Sequence, residues 1–165
     1  MNLINAVEQS KQSYSESEKQ AFAAEKNAIY VESLKYMSGK DVSAECLDTL
    51  KCLKEKGVKI AIGSSSKNAP IILKQLGIYD LFDAISDGNN IVKSKPDPEV
   101  FLKACDMLGF LPSECLVVED AMSGIDAGVS GGFKTAGIGD ASSYKKADYK
   151  LDKISDLLEC LDVST

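Results

Sequence analysis

The chain has 165 residues, 44% of them hydrophobic and 27% charged, with a net charge of -6; this is the composition of a globular protein of about one domain, and the negative charge argues against a sequence-independent hold on nucleic acid. It contains no histidine, which excludes His-based nucleophilic triads and His-ligated zinc or iron, so any metal must be held by oxygen. No apolar run approaches the roughly 20 residues of a membrane span, and Met1 to Asn27 lacks a signal-peptide pattern, so the expectation is a cytoplasmic protein with no membrane partner. Cys46, Cys52, Cys105, Cys115 and Cys160 form no C-x-x-C pair and read as reduced packing residues.

In chain order, Asn2 to Gln9 reads as a short helix. Ser15 and Glu18 then make a capping-box pattern that opens a helix to about Met37, stopped by Gly39, with Phe22, Ile29, Tyr30 and Leu34 as an apolar packing stripe. Ser43 caps a third helix whose core positions are Leu47, Leu50 and Leu53 and which Gly57 ends. Val58 to Gly63 is a strand. Ser64, Ser65, Ser66, Lys67 and Asn68 follow it, before a helix from Pro70 to Leu76. Polar groups where a strand meets a helix suit a phosphate, although serine clusters are also ordinary turn material.

Phe82 to Ser86 is a short strand. Lys95 then sits in a loop stiffened by Pro96 and Pro98, and Asp97 starts a helix that buries Phe101, Ala104, Cys105 and Leu108. Leu116 to Val118 is an apolar run that stops at Glu119 and Asp120, two carboxylates at a strand's C-terminal end, a place that can hold a hard cation. A helix from about Ser123 to Ser130, a strand from Phe133 to Ile138, a minor strand at Tyr149 to Leu151 and a helix from Ile154 to Leu161 complete the chain. Strands alternating with helices predict an α/β fold with a parallel sheet covered on both faces, behind a separate N-terminal helical segment. Because parallel strands end on one edge, Ser64, Lys95, Glu119 and Asp120 are expected to converge there, a set suited to phosphoryl transfer.

Three stretches, 60–68, 94–98 and 118–127, resemble the haloacid dehalogenase (HAD) superfamily and, within it, the β-phosphoglucomutase group. The resemblance spans about Glu25 to Leu161 and implies a Rossmann-like parallel sheet with flanking helices, a partial helical cap over residues 1–40 and a core over 41–165. It further implies that Ser64 binds the transferring phosphoryl group with Ser65, Ser66, Lys67 and Asn68 around it, and that Lys95 bridges the phosphate and a nucleophilic aspartate. Glu119 and Asp120 would bind Mg²⁺, while Lys26 and Asn27 would touch the sugar phosphate. The implied reaction takes β-glucose 1-phosphate to glucose 6-phosphate through a phosphorylated aspartate.

One departure is large. The family's first, central strand ends in Asp-x-Asp, and no Asp-x-Asp occurs in this sequence. The expectation is therefore an N-terminally incomplete chain, inactive alone, with a gap in its sheet through which it self-associates. The alternatives are a sugar-phosphate phosphatase of the same superfamily and a noncatalytic remnant.

Overall fold

The structure is a computed structural model describing residues 14–162. The predicted helix at Asn2 to Gln9 lies outside the described residues. The chain divides into two compact units, Met1–Met37 and Ser38–Thr165.

In the first unit, helix α1 (Glu16–Leu34) opens on the predicted capping box: the Glu18 N–H donates to Ser15 Oγ at 3.3 Å, and the Ser15 N–H donates to Glu18 Oε2 at 2.8 Å. Two expectations fail here. The apolar stripe is not a packing stripe, because Phe22, Ile29 and Tyr30 are exposed and Leu34 alone is buried; Phe22 packs edge-on against Tyr14, with ring centroids 5.3 Å apart. The helix also stops at Leu34, ahead of Gly39, which instead begins a short 3-10 turn capped by Ser38 and Asp41 in the second unit.

The second unit is built from α2 (Ala44–Glu55), β1 (Ala61–Gly63), α3 (Ala69–Gln75), β2 (Ala84–Ser86), α4 (Glu99–Leu108), β3 (Leu116–Glu119), α5 (Met122–Ser130), β4 (Lys134–Gly137), β5 (Tyr149–Lys150) and α6 (Leu157–Asp162). It is an α/β fold in which every strand pairing is parallel, as the alternation of strands and helices requires. Ser43 Oγ caps α2, and Gly57, at φ 78°, adopts the left-handed conformation that closes it. The strands form two sheets, β1-β2 and β3-β4-β5, so β1 and β3 each have one edge without a strand partner among the described residues.

Both sheets share the same helix layers. On one face Val100, Phe101 and Cys105 of α4 and Ala127 of α5 close over Val117 and Phe133; on the other, Leu53 of α2 and Leu157 of α6 pack with Ile60, Leu116, Val118, Ala136 and Leu151. Successive β3 residues thus serve opposite faces, as the pleat demands. Helix α4 spans the two sheets, since its Phe101 lies against Gly63 of β1, where a Cβ would come within 2.6 Å of the ring, and packs edge-on with Phe133 before β4.

The strand predicted from Val58 pairs only from Ala61, and the one predicted from Phe82 only from Ala84. An aspartate interrupts the ladder: the Ile60 N–H donates to Asp83 Oδ2 at 3.0 Å, while the Asp83 N–H donates to the Ile60 carbonyl at 2.7 Å. The other sheet repeats this device, with the Thr135 N–H donating to Asp148 Oδ2 at 2.9 Å just before β5. Each aspartate also takes a lysine, Lys59 and Lys134 respectively. Among the described residues no helix is long and apolar enough to cross a membrane.

Candidate functional site

Ser64 follows β1 directly. Its N–H donates to the Ser86 carbonyl at 2.9 Å, and its Oγ accepts the Ser66 N–H at 3.1 Å, which leaves the hydroxyl proton to donate elsewhere. Ser66 Oγ in turn accepts the Asn68 N–H at 3.2 Å. The serine run is thus both a turn fixed by its own hydroxyls and a polar strand end. Two of its N–H groups, those of Ser66 and Asn68, are satisfied inside the turn, while the Ser64 Oγ–H remains able to donate.

A second loop, missed in the sequence, fixes the first. Asp87, buried at the end of β2, accepts the Asn89 N–H at 2.8 Å, and Asn89 Nδ2 donates to the Lys67 carbonyl at 2.9 Å. Between them the Gly88 N–H donates to the Ser66 carbonyl at 3.3 Å, with the backbones so close that a Cβ on Gly88 would lie 2.5 Å from the Ser65 carbonyl oxygen. The signal was present as Asp-Gly-Asn-Asn after a strand, a tight-turn composition.

The segment leading to Lys95 is tied to α4. Glu99 accepts the N–H groups of Val92 (3.1 Å) and Lys93 (2.8 Å), and Lys103 Nζ holds the Asn90 carbonyl, tying residues 90–93 to the helix that follows. Two backbone N–H donors and the Lys103 ammonium hold the Glu99 carboxyl below its ordinary value. The Lys95 ammonium forms an ion pair with Glu119 Oε1 and lies 4.6 Å from the centre of the Phe101 ring. Side-chain exposure is 17% for Lys95 and 10% for Glu119, so the pair is largely withdrawn from water.

Glu119 ends β3, and its carboxylate rests on α5 where Gly124 makes room: a Cβ there would meet Glu119 Cδ at 2.2 Å. Asp120 beside it is exposed. The structure therefore brings Lys95 and Glu119 into contact and places Ser64 and Asp120 at the C-terminal ends of β1 and β3. Lys26 and Asn27 are exposed on α1, in the other unit.

As a Mg²⁺ site, Glu119 and Asp120 fit in kind, being hard oxygen donors, and fall short in number. Among the described residues no three acidic, Cys or His side chains come together, and Glu119 is already paired with Lys95. A shallow depression of about 420 Å³ bounded by Lys93, Asp97, Glu99, Leu102, Lys103 and Asp106 contains none of the predicted site residues.

Residues 4–132 match the haloacid dehalogenase-like hydrolase family. The chain is 38% identical over 144 residues to a β-phosphoglucomutase of Bacillus subtilis, an alignment covering 87% of this chain and 64% of that protein. It is 30% identical over 112 residues to a phosphorylated carbohydrates phosphatase of Thermotoga maritima, covering 67% of this chain and 49% of that protein. The crystal structure of a β-phosphoglucomutase from Clostridium difficile superposes with a TM-score of 0.85 at 36% identity, over 93% of this chain and 69% of that one. The chain thus spans about half to two thirds of the length of these curated relatives. Its parallel α/β architecture, its strand-end residues and the family match over 4–132 together show that the chain belongs to the haloacid dehalogenase-like hydrolases.

Proposed function

We propose that this chain carries the phosphate-holding half of a phosphoryl-transfer site for sugar phosphates, of the β-phosphoglucomutase kind. The observation that carries the reading is the Lys95–Glu119 pair at the end of β3, an ammonium and a carboxylate withdrawn from water at the sheet edge where Ser64 and Asp120 also end their strands. In this reading Ser64 donates its hydroxyl proton to a phosphoryl oxygen, and Ser65, Ser66, Lys67 and Asn68 shape the surrounding turn. Lys95 neutralises phosphate charge. Glu119 and Asp120 would hold Mg²⁺, which when bound offsets the charge of the phosphate. The protein works in the cytoplasm.

The Asp-x-Asp nucleophile of the resemblance has no counterpart in this sequence, so the 165-residue chain positions a phosphate that none of its own groups attacks. The test is turnover of β-glucose 1-phosphate by this chain and by the same chain joined N-terminally to a strand ending in Asp-x-Asp. The expected result is no turnover by the first, glucose 6-phosphate from the second, and loss of that activity with Asp120→Ala. Turnover by the 165-residue chain overturns the reading. Free glucose and phosphate from the extended chain would favour the second reading, a sugar-phosphate phosphatase, which the Thermotoga relative's name supports.

A further inference from the structure

Cys105 lies in the last turn of α4 and Cys115 immediately before β3, and their sulfurs are 3.6 Å apart. Among the described residues this is the one contact between two of the five free thiols. Cys105 is 4% exposed and donates its S–H to the Phe110 carbonyl at 3.0 Å, whereas Cys115 is half-buried. A disulfide needs the sulfurs about 1.5 Å closer than this. The segment that would absorb the shift is a turn: Gly109 is left-handed at φ 75°, Phe110 and Leu111 are exposed, and Pro112–Glu114 is a single 3-10 turn.

We infer that Cys105 and Cys115 are an oxidation site that closes to an intrachain disulfide under a mild peroxide oxidant, pinning the end of α4 to the start of β3. The more exposed Cys115 reacts first. Its thiolate attacks hydrogen peroxide, the O–O bond breaks, and a sulfenic acid and hydroxide result. The Cys105 sulfur, losing its proton, then attacks the sulfenic sulfur; the S–S bond forms and the S–O bond breaks. Overall, two thiols and one peroxide give one disulfide and two waters. Burial, the contact with Cys105 and the Glu114 carboxylate push the Cys115 thiol up to about 12. The reaction is therefore slow at neutral pH and faster in alkaline buffer. The consequence is a covalent tie within the packing cluster that holds α4 across both sheets, made by peroxide and released by a thiol reductant through thiol–disulfide exchange.

The experiment is treatment of the native 165-residue chain with a few equivalents of hydrogen peroxide at alkaline pH, followed by blocking of free thiols, digestion and mass spectrometry. No lysine lies between Ala104 and Lys134, so trypsin leaves both cysteines in one peptide, and a second cleavage after Glu114 separates them. The expected product is that peptide lighter by two hydrogens, remaining one species after cleavage at Glu114 until it is reduced, while Cys46, Cys52 and Cys160 stay alkylated. Cys115→Ser should abolish the crosslink, with Cys105 then recovered as a free thiol. Recovery of both Cys105 and Cys115 as free thiols or as separate sulfinic acids, or disulfides formed instead with Cys46, Cys52 or Cys160, would overturn the inference.

Discussion

The Lys95 ammonium and the Glu119 carboxylate form an ion pair that joins the loop entering α4 to the last residue of β3, with Phe101 beneath the ammonium. Removing one partner strands the other charge in a poorly solvated place. Lys95→Met and Glu119→Gln should each destabilise the chain by about 2 kcal/mol, between the values for exposed and fully buried pairs. The double variant should recover much of the loss. Urea denaturation of the four chains gives the coupling energy directly, and strictly additive losses would show that the pair contributes nothing.

Gly124 gives a sharper test, because its substitution should change sign with the neighbour. A Cβ at Gly124 would lie 2.3 Å from Glu119 Oε2, so Gly124→Ala should cost on the order of 1–3 kcal/mol by displacing the carboxylate from Lys95. In a Glu119→Ala background the clash disappears. The same substitution should then stabilise α5 by up to about 1 kcal/mol, the helix preference of Ala over Gly. Equal losses in both backgrounds would rule out the proposed contact.

Acid should unfold the chain through its strand-stitching aspartates. The Ile60 N–H and then the Lys59 ammonium hold the Asp83 carboxyl below its ordinary value; Lys134 and then the Thr135 N–H do the same for Asp148. A depressed folded value means that the stabilisation is complete above the unfolded pKa, roughly 4, and is lost as pH falls through the folded value. Urea midpoints should therefore hold steady down to about pH 5 and then fall. The Asp83→Asn/Asp148→Asn double variant, less stable at neutral pH, should show a flatter profile, and an equally steep acid loss in that variant would contradict the assignment.

The unpaired edges make a prediction at single amides. The Ser64 N–H bonds to the Ser86 carbonyl and the Glu119 carbonyl accepts from the Ile138 N–H. Alternation along a parallel strand therefore turns Ile62, Val117 and Glu119 toward their partners and Ala61, Gly63, Leu116 and Val118 toward the open side. Hydrogen exchange should be fast at the second group and slow at the first. Equal protection of both groups in a monomeric sample would mean that the two sheets pair directly; protection that rises with concentration would instead support the proposed self-association through this gap.

Much of this was legible in the sequence, for reasons that differ by element. The caps at Ser15 and Ser43 and the glycine stop at Gly57 were readable because they are local chemistry, and the strand ends at Gly63 and Glu119 because apolar runs stop there. The stripe of α1 misled because periodicity records which face is apolar and says nothing of what covers it. Asp83 and Asp148 were invisible as strand terminators, since each acts on a residue distant in sequence, Ile60 just before β1 and Thr135 in β4. The same holds for the site. Ser64, Lys95, Glu119 and Asp120 announce themselves by residue type, whereas Asp87, Gly88 and Gly124 matter only through what the fold places beside them.

Phosphate binding by the strand-end residues Ser64 and Lys95 is measured by a titration of the ¹⁵N-labelled 165-residue chain with inorganic phosphate, read at each amide. Saturable shifts are expected at Ser64 to Asn68 and at Lys95, with an affinity in the millimolar range, about 4 kcal/mol, lost in Ser64→Ala and weakened in Lys95→Met. Shifts confined to the depression around Lys93 and Lys103, or none at Ser64 to Asn68, would contradict it.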